Sequence, residues 1–381
     1  MASIVTLTQS SYTIRRRDGA DCRQRGPTML RVAMAGALML SLASGPVCAD
    51  AVADFYKGKQ IRFIIRAGVG GTYDLYARLL GRHMGAHIPG NPAILPVNMS
   101  GAGGIKAAMY VAELAPRDGT VLTIVSQGLA ADQGLGLNPG FRADLREFNW
   151  IGNISSAGQV VVTWHTSPTK SLGDAMARTT VIGVTGAGSI SVQLGAVLNN
   201  VIGTRFKLVV GYPDGNDVNL AMERGEVEGR CSSPWPSYLA ATPHYVLDKL
   251  ITPIVQVGLE KEPDLPNVPL LRELAKTAPE RQILDFMSLA VAIGRPIATT
   301  PGVPADRVAA LRKAFDETLR DPAFIADAAK ERLEIRAMEG AQLADLIRQV
   351  IETPAELRER VKVAIQPKNA VSLPGARSGN E

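Results

Sequence analysis

The chain has 381 residues, close to half of them apolar, with 41 Lys and Arg against 36 Asp and Glu for a net charge of +5. The basic excess sits at the start, where Arg15, Arg16, Arg17, Arg23, Arg25 and Arg31 precede an apolar run over 32–42 and then Val47-Cys48-Ala49. That order reads as a secretory signal cleaved near Ala49, and its removal takes away six arginines and two aspartates, lowering the net charge from +5 to +1. A chain so balanced has no basic run to track a phosphate backbone, which excludes nucleic acid as the expected partner.

The apolar run is about half of the ~20 residues that a membrane-crossing helix needs, and no second long apolar stretch follows, so a soluble mature chain without membrane insertion is expected. Met29-Leu30-Arg31 would itself make a compact charged start, which leaves Met29 open as the initiator. A twin-arginine signal is disfavoured because Arg16-Arg17 lies far from the apolar run, and a lipoprotein signal because Gly45-Pro46-Val47 leads poorly into Cys48. Cleavage leaves Cys231 alone, so no internal disulfide forms, and beside Ser232, Ser233 and Pro234 it reads as a small buried residue rather than a nucleophile. A mature length of about 330 residues exceeds what one core usually supports, so two domains are expected.

In chain order, a strand over 60–65 runs into Ala67-Gly68-Val69-Gly70-Gly71-Thr72-Tyr73-Asp74, after which Leu75, Leu79 and Leu80 mark a helical face. That helix stops before Pro89 and Pro92, which lack a backbone donor. A strand over 93–98 leads into Ser100-Gly101-Ala102-Gly103-Gly104 and a helix over 105–115, and a strand over 121–126 opens onto Gln127-Gly128. The style repeats from 160: a strand over 160–163, a helix over 171–177, and a strand over 180–184 ending in Thr185-Gly186-Ala187-Gly188-Ser189. A strand over 207–210 then enters Gly211-Tyr212-Pro213-Asp214-Gly215, followed by a helix over 218–224 and a strand over 251–257. A Pro-rich loop, a strand over 289–293 and helices over 305–319 and 341–351 come next, and the tail from Pro367 is expected to be disordered.

Glycine lets the backbone take positive φ and lets a ligand approach closely, so successive N–H groups can face one concavity beside a helix N-terminus; carboxylate or phosphate is the natural guest. One glycine turn after a strand is ordinary, but four at successive strand ends, where open α/β sheets bind ligands, favour a binding site.

Catalytic readings fare worse. Ser167 and Lys170 match S-x-x-K, but no S-D-N or K-T-G element follows. Tyr73 stands where a dinucleotide fingerprint needs its third glycine, and no G-x-S-x-G elbow is present. His83 and His87 share a helical face, yet no third ligand lies near in sequence, so a solvated face is preferred to a metal site. No cofactor is expected.

The segment Gly70-Gly71-Thr72-Tyr73-Asp74-Leu75-Tyr76-Ala77-Arg78, then Asn98-Met99-Ser100-Gly101-Ala102-Gly103-Gly104, then Ala115-Pro116-Arg117-Asp118-Gly119-Thr120, resembles the TctC/Bug family of periplasmic solute-binding proteins that serve tripartite tricarboxylate transporters. Gly211-Tyr212-Pro213, Leu265-Pro266-Asn267-Val268-Pro269 and Thr300-Pro301-Gly302-Val303-Pro304 extend the resemblance over nearly all of the mature chain. It implies an α/β, two-domain periplasmic-binding-protein fold, type II-like, with a ligand cleft between the domains. The implied parts are 50–158 and 257–366 for the first domain, 159–256 for the second, and 367–381 as a flexible tail. The implied function is capture of a small organic anion, a carboxylate, by hinge closure in a monomer that then meets the transporter's membrane components.

Carried over by position, the ligand-binding set is Gly68, Gly70, Gly71, Thr72, Tyr73 and Asp74, then Gly101, Ala102 and Gly103, then Ser126 and Gln127. The facing domain supplies Thr185, Gly186, Ala187, Gly188 and Ser189, with Tyr212 and Asp214 nearby. The family's first loop reads roughly P-F-A-P-G-G-G-T-D, whereas Arg66 and Tyr73 are particular to this chain. Arg66 reads equally as a cleft cation or a solvated residue, Asp74 as a solute partner or a helix-dipole residue, and Trp164 and Trp235 as core more than cleft. Two other classes stay open: a periplasmic sensor presenting its solute to a receptor, and a periplasmic hydrolase whose nucleophile and base the sequence does not supply.

Overall fold

The computed structural model describes residues 51–156, 158–186, 189–213 and 215–373; the expected signal over 1–49 lies outside them. In chain order the strands are β1 (Gln60–Ile65), β2 (Ala93–Asn98), β3 (Val121–Ile124), β4 (Asn149–Asn153), β5 (Gln159–Trp164), β6 (Thr180–Val184), β7 (Phe206–Val210), β8 (Gly229–Pro234), β9 (Ile251–Val257), β10 (Pro296–Thr299), β11 (Met338–Glu339) and β12 (Ala370–Ser372). They form two six-stranded sheets, ordered β11-β4-β10-β3-β1-β2 and β12-β7-β6-β8-β5-β9. One sheet holds a parallel trio, β3-β1-β2, and the other a parallel run of four, β12-β7-β6-β8; antiparallel strands continue each of them on one side. The sheets and their covering helices make the two lobes of a mixed α/β protein.

β1 shows why the trio strands form. Its sequence QIRFII is β-rich, and Ile61, Phe63 and Ile65 pack with Leu79, Leu80 and Met84 of the Thr72–Met84 helix, while Ile64 faces the opposite side among Ala107, Val111 and Val121. Burial on both faces is what a central parallel strand requires.

The first lobe passes to the second through the short segment from Ile154 to Gly158 between β4 and β5. Backbone bonds pin this crossing: Arg295 N donates to Ser155 O (3.1 Å), and Ser156 N donates to Arg336 O (3.0 Å). The return leaves β9 and reaches the Ala278–Ala292 helix.

That helix corrects one expectation, since residues 289–292 are its last turn rather than part of a strand. A capping box starts it: Thr277 Oγ1 accepts from Glu280 N (3.3 Å), and Glu280 Oε2 accepts from Thr277 N (3.1 Å). Its apolar run fills a buried helix, and Gly294, at φ 62°, ends it where any side chain would strike Ser155 O at 2.2 Å. The strand that follows is β10. The tail is the second correction. Ala370–Ser372 add β12 to the open edge of β7, with Leu208 N donating to Asn369 O (3.0 Å) and Leu373 N to Val210 O (2.8 Å). No helix among the described residues is long and apolar enough to cross a membrane.

Candidate functional site

Three loops gather at the ends of the neighbouring strands β3, β1 and β2. The first, 66–71, exposes Gly68, Val69, Gly70 and Gly71 and leads into the helix that starts at Thr72, with no side-chain cap from Gly71. Asp74 accounts for the loop's shape. It is 1% exposed and accepts from Gly70 N (2.8 Å), Arg78 Nε (2.9 Å) and Asn98 Nδ2 (2.8 Å). Asn98 Nδ2 also donates to Ala67 O (2.8 Å), and its Oδ1 accepts from Arg78 (2.8 Å), so one buried hub fastens loop, helix and β2 together. Burial raises the Asp74 pKa, but the bonds from Arg78, Gly70 and Asn98 outweigh it and hold the group below its ordinary value. Its oxygens are committed to this hub, so Asp74 shapes the loop and does not face a solute.

The second loop turns through four consecutive positive-φ residues, Gly101 (142°), Ala102 (43°), Gly103 (65°) and Gly104 (106°), and Gly101, Ala102 and Gly103 are exposed. Gly104 N closes this turn by donating to Gly101 O (2.9 Å), and the exposed, largely side-chain-free backbone of 101–103 is left open to the close approach of a ligand. The third loop carries Ser126 and Gln127. Arg66 stacks on the Tyr73 ring at 4.6 Å and donates to Ser126 Oγ (3.2 Å), and Gln127 N donates to Tyr73 Oη (3.3 Å). The two departures from the family's loop thus meet each other: tyrosine and arginine tie the ends of β1 and β3 into one surface, and Arg66 Nε is buried without a hydrogen-bond partner.

In the second lobe, Thr185 and Gly186 follow β6, and Ser189 caps the Ile190–Val197 helix by accepting from Val192 N (3.5 Å). Ser191 Oγ takes a bond from Thr185 N (3.1 Å) and lies 2.8 Å from Ser189 Oγ. Thr185 and Ser191 line a cavity of about 130 Å³ with Arg230, Cys231 and Ser232 of β8. Arg230 donates to Asn219 Oδ1 (2.8 Å), while Cys231 is buried and its thiol is pushed up to about 12 by burial. Tyr212 is 7% exposed and packs over Gly183 beside Val218, so it belongs to the core rather than to an open loop surface. Ala187, Gly188 and Asp214 lie outside the described residues.

A cavity of about 260 Å³ lies between the lobes, walled by Thr72, Tyr76, Ser155 and Arg295 on one side and Pro234, Pro236 and Ser237 on the other. Of the expected first-loop residues only Thr72 reaches it. Arg295, Tyr76, Ser155 and Arg230 were not expected from the sequence; the usable signal for Arg295 was a lone charge, between Gly294 and Pro296, ending a long apolar run.

The other side chains weighed from the sequence have local roles. Trp164 stacks edge-on with Tyr245, and Trp235 with Tyr238, in the second lobe's core. Ser167 Oγ donates to Glu228 (3.3 Å) while Lys170 Nζ donates to His165 O (2.8 Å), so the two are not paired. His83 and His87 each meet a different aspartate, Asp327 and Asp321, both at 3.0 Å. Among the described residues, no group of three or more His, Cys, Asp or Glu side chains is placed to hold a metal ion.

No family model matches the chain. A UPF0065 protein in the TAR-I ttuE-ttuC' intergenic region of Agrobacterium vitis is 28% identical over 162 residues, covering 41% of this chain and 46% of that protein, less than half of either. Among solved structures, a TctC solute-binding protein from Polaromonas matches with a TM-score of 0.60 at 17% identity, over 81% of this chain and 99% of its own. An R. palustris protein solved with adipate gives 0.59 at 20% identity, over 81% and 97%. MatC from Rhodopseudomonas palustris, with bound malate, gives 0.57 at 20%, over 81% and 99%. With its paired sheets, crossing segment and strand-end loops, the chain has the fold of the TctC and BugD periplasmic binding proteins, which are its structural neighbours.

Proposed function

We propose that this chain is an extracytoplasmic solute-binding protein that captures a small organic anion, a carboxylate, and delivers it to the membrane components of a tripartite tricarboxylate-type transporter. The observation that carries the reading is the first-lobe surface, where exposed glycine backbone at two strand ends is held open by the buried Asp74–Asn98–Arg78 hub and backed by the Arg66 guanidinium. Backbone donors fixed before the ligand arrives cost no reorganisation on binding. The carboxylate docks on the first-turn N–H groups of the helix that starts at Thr72 and on the backbone of Gly101–Gly103, since Gly70 N and Gly71 N are already bonded within the loop, and the second lobe brings Thr185, Gly186 and Ser189 onto it by rotation at the crossing segment. The adipate- and malate-bound neighbours support a carboxylate as guest, and the leader over 1–49 supports export.

The test is thermal unfolding of residues 50–381 with malate, adipate, citrate, benzoate, glutamate and phosphate, each hit followed by calorimetry. A ligand specific to the folded state raises stability by RT ln(1 + [L]/Kd), about 2.7 kcal/mol at a hundredfold excess over Kd. A saturable rise with one carboxylate class is expected, and Gly71→Val should abolish it: an added Cβ meets Gly68 O at 3.4 Å and Ala67 Cβ at 3.8 Å, ordinary contacts that leave the fold intact, while the side chain takes up space over the exposed loop that a solute would need. No rise with any organic anion in folded, ligand-free protein overturns the reading.

A further inference from the structure

The cavity between the lobes contains a cation that the protein leaves unneutralised. Arg295 is 9% exposed, its guanidinium stacks on Tyr76 at 4.5 Å and reaches Ser155 Oγ at 3.4 Å, and its Nε is buried without a hydrogen-bond partner. Its position is fixed from behind, since Arg295 N donates to both Asn153 Oδ1 (2.9 Å) and Ser155 O (3.1 Å) at the crossing segment. Of the two glutamates on the cavity wall, Glu331 pairs with Arg82 and Glu334 pairs with Arg336 through Oε1, while Glu334 Oε2 is buried without a hydrogen-bond partner and makes no ion pair with Arg295. Among the described residues no carboxylate lies within ion-pair distance of Arg295. Burying a charge is costly unless something pairs with it, so an arginine held this way calls for an anion from outside.

The rest of the wall says what that anion carries. Leu75, Tyr76, Pro234, Pro236 and Leu333 are apolar surfaces suited to a hydrocarbon segment. At one end stands Thr72, the first residue of a 13-residue helix that Gly71 leaves without a side-chain cap, and Tyr76, under Arg295, lies about one helical turn, ~5.4 Å, further along. Two positive foci a turn apart, with apolar wall between them, fit a short chain with a negative group at each end.

We infer that Arg295 builds a second anion subsite in the inter-lobe cavity and is the residue that selects doubly charged over singly charged carboxylates. The inference rests on the carboxylate-capture reading. One carboxylate meets the backbone donors at Thr72, the chain lies along Leu75 and Tyr76, and the far carboxylate reaches the Arg295 guanidinium.

The experiment compares adipate with hexanoate, equal in chain length and differing by one carboxylate, on residues 50–381 by calorimetry, with Arg295→Met beside the native protein and sulfate as a third probe in thermal unfolding. The native protein is expected to bind adipate at least tenfold tighter than hexanoate, and Arg295→Met to bring that ratio close to one with hexanoate affinity unchanged. Equal affinities in the native protein, or a variant that keeps the ratio or loses both ligands alike, overturns the subsite while leaving carboxylate capture standing. If the native protein binds neither acid, sulfate decides the subsite: stabilisation of the native protein that is absent from Arg295→Met upholds it, and equal responses overturn it, while carboxylate capture is decided separately by the wider ligand series. Arg295→Gln, which keeps a polar stem without the charge, replaces the methionine variant should that one not fold.

Discussion

Gly104 and Asp132 illustrate how single residues here are set by opposite constraints. Gly104 sits at φ 106°, and any Cβ there would come within 3.2 Å of Ser126 and 3.3 Å of Arg66, so the passage of the arginine across to the serine depends on glycine at this point. Asp132, on the Leu129–Leu135 helix, accepts from Asn138 Nδ2 (2.9 Å), yet burial dominates and raises its pKa to about 6. An unfolded aspartate titrates near ~3.9, so the fold favours the protonated form. This contribution is complete below about pH 4 and is lost as pH rises through about 6. With Asp132 only partly buried, the effect amounts to about 1–2 kcal/mol. Asp132→Asn is expected to remove that decline and to be the more stable form at pH 7, which urea unfolding midpoints between pH 4 and 7.5 will check. Nothing in the bare sequence marks Asp132, because the burial that shifts it comes from helices far along the chain; Arg295 was missed for the same reason, as its value depends on Ser155 and Tyr76 closing around it.

At the scale of elements, the strand-loop-helix units were legible where local signals agreed. β1, β2, β6 and the glycine loops after them follow from β-rich runs, turn residues and proline stops, and the same signals placed the Thr72–Met84 helix. The readings failed where period gave no contrast. An apolar run such as 289–293 serves a buried strand or a buried helix equally well, and the decisive capping box lies more than ten residues upstream. The tail failed for another reason: Ala370–Ser372 is only three residues long and exposed, too short to show a period, and becomes a strand only because β7 offers an unpaired edge. Ending the chain at residue 366 is expected to cost about 1–3 kcal/mol for the lost bonds. The Leu208 amide, which donates to Asn369 O, should then exchange with solvent markedly faster than in the full chain.

The whole molecule is organised around its crossing segment. Arg336, whose carbonyl accepts from Ser156 N, also forms an ion pair at 2.6 Å with Glu262, whose side chain is 3% exposed and which is anchored to β9 through Gln256. The contact is an ion pair more than a directed hydrogen bond, since Glu262 Oε2 has no well-aligned donor. It lies beside the crossing segment, where the closure proposed above would displace atoms least and need not break it. Hinge closure predicts that the radius of gyration in solution falls when a tight-binding carboxylate is added. Small-angle scattering at saturating ligand checks this, and an unchanged radius would mean that the loops capture their guest without moving the lobes.

The buried thiol of Cys231 has a practical consequence for testing the proposed closure. From residue 51 onward it is the sole sulfhydryl, and with its acidity suppressed to about 12 and 1% of its surface exposed it is a poor nucleophile at neutral pH. Cysteines introduced in pairs on exposed helix positions of opposite lobes can therefore be labelled with maleimide dyes without first removing the native one. The chain comes ready for single-molecule distance measurements as solute is titrated, in which the proposed closure appears as a second, shorter distance and its absence as a single unchanged one.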